Sequence, residues 1–251
     1  MEGKPELLHI PQADSPLVLS EVRSSLIARA RKDAATLLAN EIGLEACIPA
    51  GRSVSSVSGI TSADEWCRKG EELFRNGDKV KAVEYFLTGL KEDPNHVRLQ
   101  RRVALAYKTG RWGVAQNEAE AARLYRKAAE QGDPRAQVAL GLMFEVGQGV
   151  GTDYAQALFY YRKAAEQGDG SAFHSLGTMY ERGLGVKKDL NEAATYYRMA
   201  AEQGYAAAQL ALSWMYKQGL GVPQNDLEAA HWQQQFDRAM DAIENDIARR
   251  Q

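Results

Sequence analysis

A chain of 251 residues, 45% hydrophobic and 25% charged, has the composition of a soluble globular or repeat protein and excludes wholesale disorder. A net charge of −2 argues against a nucleic-acid binder, whose domain is ordinarily strongly basic. The two cysteines, Cys47 and Cys67, are too few for a disulfide framework and form no CxxC pair, so both are expected as reduced thiols.

The first 42 residues read as an N-terminal tail carrying an amphipathic helix. Over 17–41, Leu19, Val22, Leu26, Ala30 and Leu37 or Leu38 trace an apolar stripe, with Arg23, Arg29, Arg31 and Lys32 beside it. Three roles stay open for it: packing on the body of the protein, binding a partner or a second copy, and lying on a membrane surface, where Asp33 interrupts the apolar face. The start has no basic-then-apolar leader and no apolar run long enough to span a membrane, so the expectation is a cytoplasmic protein with no integral membrane segment. Residues 43–62, rich in Gly and Ser without helical period, are expected to be a flexible linker.

Beyond it the chain repeats itself. RKAAEQGD at 126–133 returns at 162–169, and RMAAEQGY stands at 198–205, an interval of 36 residues each time. GQGVGTD, GLGVKKD and GLGVPQN keep the same interval from Gly147, Gly183 and Gly219, as do VALGLMF, HSLGTMY and LALSWMY. An earlier copy, VALAYKTGRWGVAQN, has one extra residue between Gly110 and Gly113. Each unit predicts two helices. Ala136, Leu140 and Phe144 share one face of the first; Ala157, Tyr160, Tyr161 and Ala164 share one face of the second.

Asn117 with Glu120, Asp153 with Gln156, Asp189 with Glu192 and Asn225 with Glu228 match a capping box at the start of the second helix, and Gly132, Gly168 and Gly204 follow its end. Gly141 and Gly177 sit inside first helices, with Ala104 and Ser213 in the equivalent places. A helix-interior glycine costs about 1 kcal/mol, which is sensible only where a neighbour crosses closely. Tyr125, Tyr160, Tyr161, Tyr196 and Tyr197 recur with the unit and are expected in the core. The last helix runs on through Phe236, Met240, Ile243 and Ile247, a narrow stripe suited to a capping helix whose outer face meets water.

These strings resemble the Sel-one-like repeat family of the tetratricopeptide superfamily. Units 134–169 and 170–205 match its pattern almost throughout; 98–133 and 206–241 match with losses, HWQQQFDRA replacing YYRKAAEQG in the last. Trp66, Gly70, Leu73, Ala82, Phe86 and Pro94 resemble an ordinary tetratricopeptide repeat, with Gly89 where Ala is usual. The implied fold is an all-α, right-handed alpha-alpha superhelix: one tetratricopeptide-like repeat at 63–96, four Sel-one-like repeats at 97–241, and a capping helix end at 242–251. The implied role is a scaffold or adaptor binding another protein, in bacteria, for complex assembly, signalling, secretion or envelope processes. The cysteine pair found in each repeat of secreted members is missing from these units.

The sequence offers no catalytic constellation, no phosphate loop and no metal motif. The GxG pairs follow helices rather than strands, His9, His96, His174 and His231 share no i, i+4 spacing, and the carboxylates are scattered, so no catalytic residue, cofactor or metal site is expected. Alternatives to the scaffold are a regulatory or ligand-binding helical-repeat protein and an enzyme with a non-standard site.

The resemblance puts the ligand-facing positions of a concave groove three residues before the helix glycine and one and four after it. Counting from Ala104, Gly141, Gly177 and Ser213 gives Arg101, Leu105, Lys108; Val138, Leu142, Glu145; His174, Thr178, Glu181; and Leu210, Trp214, Lys217. Position two of the repeat adds Arg98 and Arg135. An extended peptide is expected there, an acidic part meeting Arg98, Arg101 and Lys108 and an apolar side chain meeting Trp214. The plainer alternative is solvated arginines and a core Trp214.

Overall fold

A computed structural model of the protein describes residues 62–249. The tail and helix expected over 1–42 and the linker up to 61 lie outside the described residues. Ser62, expected as the linker's last residue, instead caps the first helix by accepting from the Glu65 N–H at 3.3 Å.

Ten α-helices and no strand occur among the described residues: α1 Ala63–Arg75, α2 Lys79–Glu92, α3 Val97–Thr109, α4 Glu118–Glu130, α5 Pro134–Val146, α6 Tyr154–Glu166, α7 Gly170–Arg182, α8 Leu190–Glu202, α9 Ala206–Gln218 and α10 Asp226–Arg249. They pack as five hairpins, and the second helix of each rests on the first helix of the next. The result is an all-α superhelical solenoid, in which each unit completes its core on its neighbour.

The repeated residues explain the repeated geometry. Leu140, Leu176 and Leu212 are fully buried, as are Met143 and Met179, while Ala157 and Ala193 give the second helices the small face on which those side chains pack. Gly147 ends α5 in the left-handed region at φ 80°, a conformation open to glycine at no steric cost. The chain then returns to a cap. Asn117, Asp153, Asp189 and Asn225 each accept from backbone N–H groups of the following helix at 2.9–3.2 Å. The other half of the expected capping box is built differently. The backbone N–H of each cap residue donates to a carbonyl in the last turn of the preceding helix: Tyr107, Phe144, Tyr180 and Tyr216 in turn. Those carbonyls lack a partner within their own helix, so one bond satisfies both groups and fixes the hairpin angle.

The first hairpin joins the array through Phe74, whose ring meets Trp112 edge-on at 5.3 Å and lies under the guanidinium of Arg102. Trp112 belongs to the lengthened loop and takes φ 59°, the one non-glycine residue in the left-handed region among the described residues. The extra residue between Gly110 and Gly113 thus serves this joint.

Candidate partner-binding face

The first helices of successive hairpins lie side by side. Glu71 of α1 pairs with Arg98 of α3 and, at 3.2 Å, with Arg102, and Glu145 of α5 lies 3.9 Å from Arg182 of α7. The residues expected to face a ligand are spread along this row.

Several of the cations are already engaged. The half-exposed Arg98 is bound to Glu71. The Arg101 side chain is 16% exposed, and its Nε donates to Asp133 at 3.2 Å. Asp133 also caps α5, accepting from the Ala136 N–H at 2.7 Å. Burial pulls the Arg101 pKa down and Asp133 pushes it back up, the signature of a cation held as a latch between units. Lys108 is likewise partly buried, its pKa lowered by desolvation and raised again in part by Glu118. Two of the three cations expected to meet an acidic segment therefore have carboxylate partners inside the chain, and the third is partly withdrawn from water. Arg135 and Lys217 are exposed.

In the middle units the row turns acidic and aromatic. The hydroxyl of Tyr161 donates to Glu145 at 2.8 Å, and that of Tyr197 to Glu181 at 2.8 Å. Each tyrosine reaches its glutamate by crossing a helix glycine. A Cβ on Gly141 would sit 2.7 Å from the Tyr161 ring, and one on Gly177 2.7 Å from the Tyr197 ring. The close crossing expected from these glycines is thus made by a tyrosine of the same hairpin. The set is broken where Ala104 and Ser213 replace the glycine: Lys108 and Lys217 stand in the glutamate's place. His174 packs near the rings of Tyr197 and Tyr205, at 5.6 and 6.1 Å.

Apolar groups break through this row in two places. Leu142 is 39% exposed and Val146 58% exposed, both on α5. Trp214 on α9 is half-buried, and its indole N–H has no hydrogen-bond partner. Val146 escaped the sequence reading; its signal was an apolar residue off the Ala136–Leu140–Phe144 stripe. Among the described residues no group of three or more His, Cys, Asp or Glu side chains could hold a metal ion, and no helix is long and apolar enough to cross a membrane. Cys67 is buried, and burial pushes its thiol pKa up, away from a reactive thiolate.

Paired helices stacked in one dimension, with a recurring glycine-bearing turn and a row of parallel first helices, define a helical-repeat solenoid of the tetratricopeptide kind. The chain belongs to the Sel1 repeat family, whose pattern matches residues 98–133, 134–169, 174–205 and 206–235, over half of its length. It is similar to the structure of a Sel1 repeat protein from Oxalobacter formigenes, with 33% identity over 70% of this chain and 71% of that one and a TM-score of 0.64. It is also similar to a protective antigen of uropathogenic Escherichia coli strains displaying an SLR fold, with 31% identity over 70% of this chain and a TM-score of 0.63. This chain spans only 38% of that antigen's length. A Sel1 repeat protein from Klebsiella pneumoniae shares the fold at 19% identity and a TM-score of 0.50, over 73% of this chain and 92% of that one. None of the curated proteins matches the chain.

Proposed function

We propose that the protein is a non-enzymatic scaffold that holds an extended segment of another protein along the row formed by α3, α5, α7 and α9. The observation that carries this reading is the exposure of Leu142 and Val146 on one first helix of the row. Exposed apolar side chains grouped on one helix of a repeat frame serve partner contact better than they serve folding. The Sel1 repeat family, whose members generally act as interaction scaffolds, supports the same class. The partner's apolar residues meet Leu142, Val146 and the half-buried Trp214. Its charged residues meet Arg135 and Lys217, which are exposed along the same face. The internal pairing of Arg98 and Arg101 removes the reason to require an acidic segment.

The test is affinity capture from the native host with the unaltered protein and with a folded Leu142→Glu, Trp214→Ala double variant. Loss of about 2 kcal/mol of binding, roughly 30-fold, is expected for a central apolar anchor. A captured partner held equally well by a double variant of unchanged helicity would remove this face from consideration.

A further inference from the structure

The array contains a ladder of glutamine carboxamides. Gln100, the fourth residue of α3, is fully buried; its amide donates to the Pro94 carbonyl at 2.7 Å, and its Oε1 accepts from the amide of Gln131 at 3.0 Å. Gln131 is the C-cap of α4 in the same hairpin. The next hairpin repeats the arrangement: Gln137 donates to the Ala129 carbonyl at 3.1 Å and accepts from Gln167, the C-cap of α6, at 2.9 Å. In the third hairpin Phe173 stands in the buried place, and Gln203 turns to the Gly168 carbonyl at 3.0 Å.

In the last hairpin the buried glutamine returns without its partner. Gln209 is 5% exposed and donates to the Ala201 carbonyl at 3.2 Å, yet its Oε1 accepts nothing. One repeat interval beyond Gln203 stands Ala239, and α10 does not end there but continues to Arg249. Beside Gln209, Trp232 is 9% exposed, and its indole N–H also has no partner. Both residues line one cavity of about 290 Å³ together with Ala201, His231 and Gln235. A buried acceptor and a buried donor, carried by two residues that line one open depression, are therefore both unmatched, where buried polar groups are ordinarily paired.

We propose that this cavity is a carboxamide site that takes a glutamine or asparagine side chain from a partner protein. A primary carboxamide carries a donor and an acceptor on one small plane. It can give its N–H to Gln209 and receive the N–H of Trp232. The chain itself names this occupant, because Gln131 and Gln167 fill the corresponding seat in two earlier hairpins. Ala239 stands inside α10, which runs on for ten further residues to Arg249, about 15 Å, so no helix end supplies the carboxamide at this position. Entry needs side-chain movement that uncovers the two buried atoms; His231 and Gln235, which line the depression, reach solvent. The site shares no residue with the face described under Proposed function and stands or falls independently of it.

The experiment uses the full chain and two probes, N-acetyl-glutamine methylamide and the matching norleucine compound, which lacks the side-chain carboxamide. Binding is read from the indole ¹H–¹⁵N resonance of Trp232, assigned by its loss in Trp232→Phe. A saturable shift with the glutamine probe is expected, with a Kd on the order of 10 mM for so small a ligand, and no shift with norleucine. Ala239→Gln supplies the carboxamide within the chain. It should abolish the probe's effect and raise the Tm by several degrees, and that rise should vanish in the Ala239→Gln, Gln209→Leu double variant. Overturning results are the absence of a saturable shift, equal shifts with both probes, or an Ala239→Gln variant that neither melts higher nor loses the response. The first of these also covers a cavity already filled by water or by another segment of this chain.

Discussion

At the scale of single residues the middle hairpins turn on one three-part device: a helix glycine, a glutamate four residues later, and a tyrosine whose ring crosses the glycine to reach that glutamate. In the Gly141, Glu145, Tyr161 set the ring is fully buried, and its hydroxyl meets the Glu145 carboxylate at 2.8 Å. Burial raises the Tyr161 pKa, and the carboxylate raises it further, because ionised phenol would face ionised glutamate. A folded-state pKa above the unfolded value means that the contribution is intact below the unfolded pKa of about 10 and is lost as the pH climbs from there towards the folded pKa. Above pH 10 the unfolded chain releases the proton while the folded chain retains it, so stability falls. Tyr161→Phe should lower stability by about 1.5–3 kcal/mol at neutral pH, the worth of a hydrogen bond to a charged group. It should also make the fall above pH 10 shallower, by up to about 1.4 kcal/mol per pH unit. Urea titrations at pH 7 and pH 10.5 measure both effects, and identical alkaline slopes for the two proteins would refute the assignment.

At the scale of helices, the sequence discloses whatever is decided within a few residues. The start of the second helix in each of the last four hairpins was legible, because Asn or Asp accepting from the next N–H groups is a local event. Asp189, for example, accepts from Asn191 and Glu192 at 2.9 and 3.2 Å. Replacing it with Ala should cost about 1 kcal/mol in urea unfolding, within a range of 0.5–2. An unchanged midpoint would show the cap to be redundant with the Asp189 N–H bond to Tyr180. That second bond was not legible, since its acceptor belongs to another helix. The internal partners of the arginine row were not legible for the same reason. Arg98, Arg101 and Lys108 stand at positions expected to face a ligand, but Glu71 and Asp133, which occupy the two arginines, come from neighbouring hairpins around thirty residues away in sequence. Helix glycines could be read as close crossings, yet only the packed structure shows that a tyrosine ring makes the crossing.

At the scale of the whole array, stability is a sum over hairpins and the joints between them, so the joints decide how far a local opening spreads. The joint between the first hairpin and the rest is rich in charge. Glu71, its side chain 19% exposed, binds Arg98 and Arg102, while Trp112 closes over Phe74 from the lengthened loop. Arg98 is half-exposed, so its bond is weakened by water. Arg102, 26% exposed and with a buried Nε that has no partner, depends more heavily on the carboxylate. Glu71→Ala strands that guanidinium and should weaken the joint by about 1–2 kcal/mol, a hydrogen bond to a charged group discounted for partial exposure. In a linear array the loss stays local. Native-state hydrogen exchange should then show amides of α1 and α2 exchanging roughly tenfold faster, with protection across α5 to α8 unchanged. Equal acceleration along all the helices would mean that the hairpins unfold as one block. In that case the joint at Glu71 would not separate the first hairpin from the Sel1 repeats.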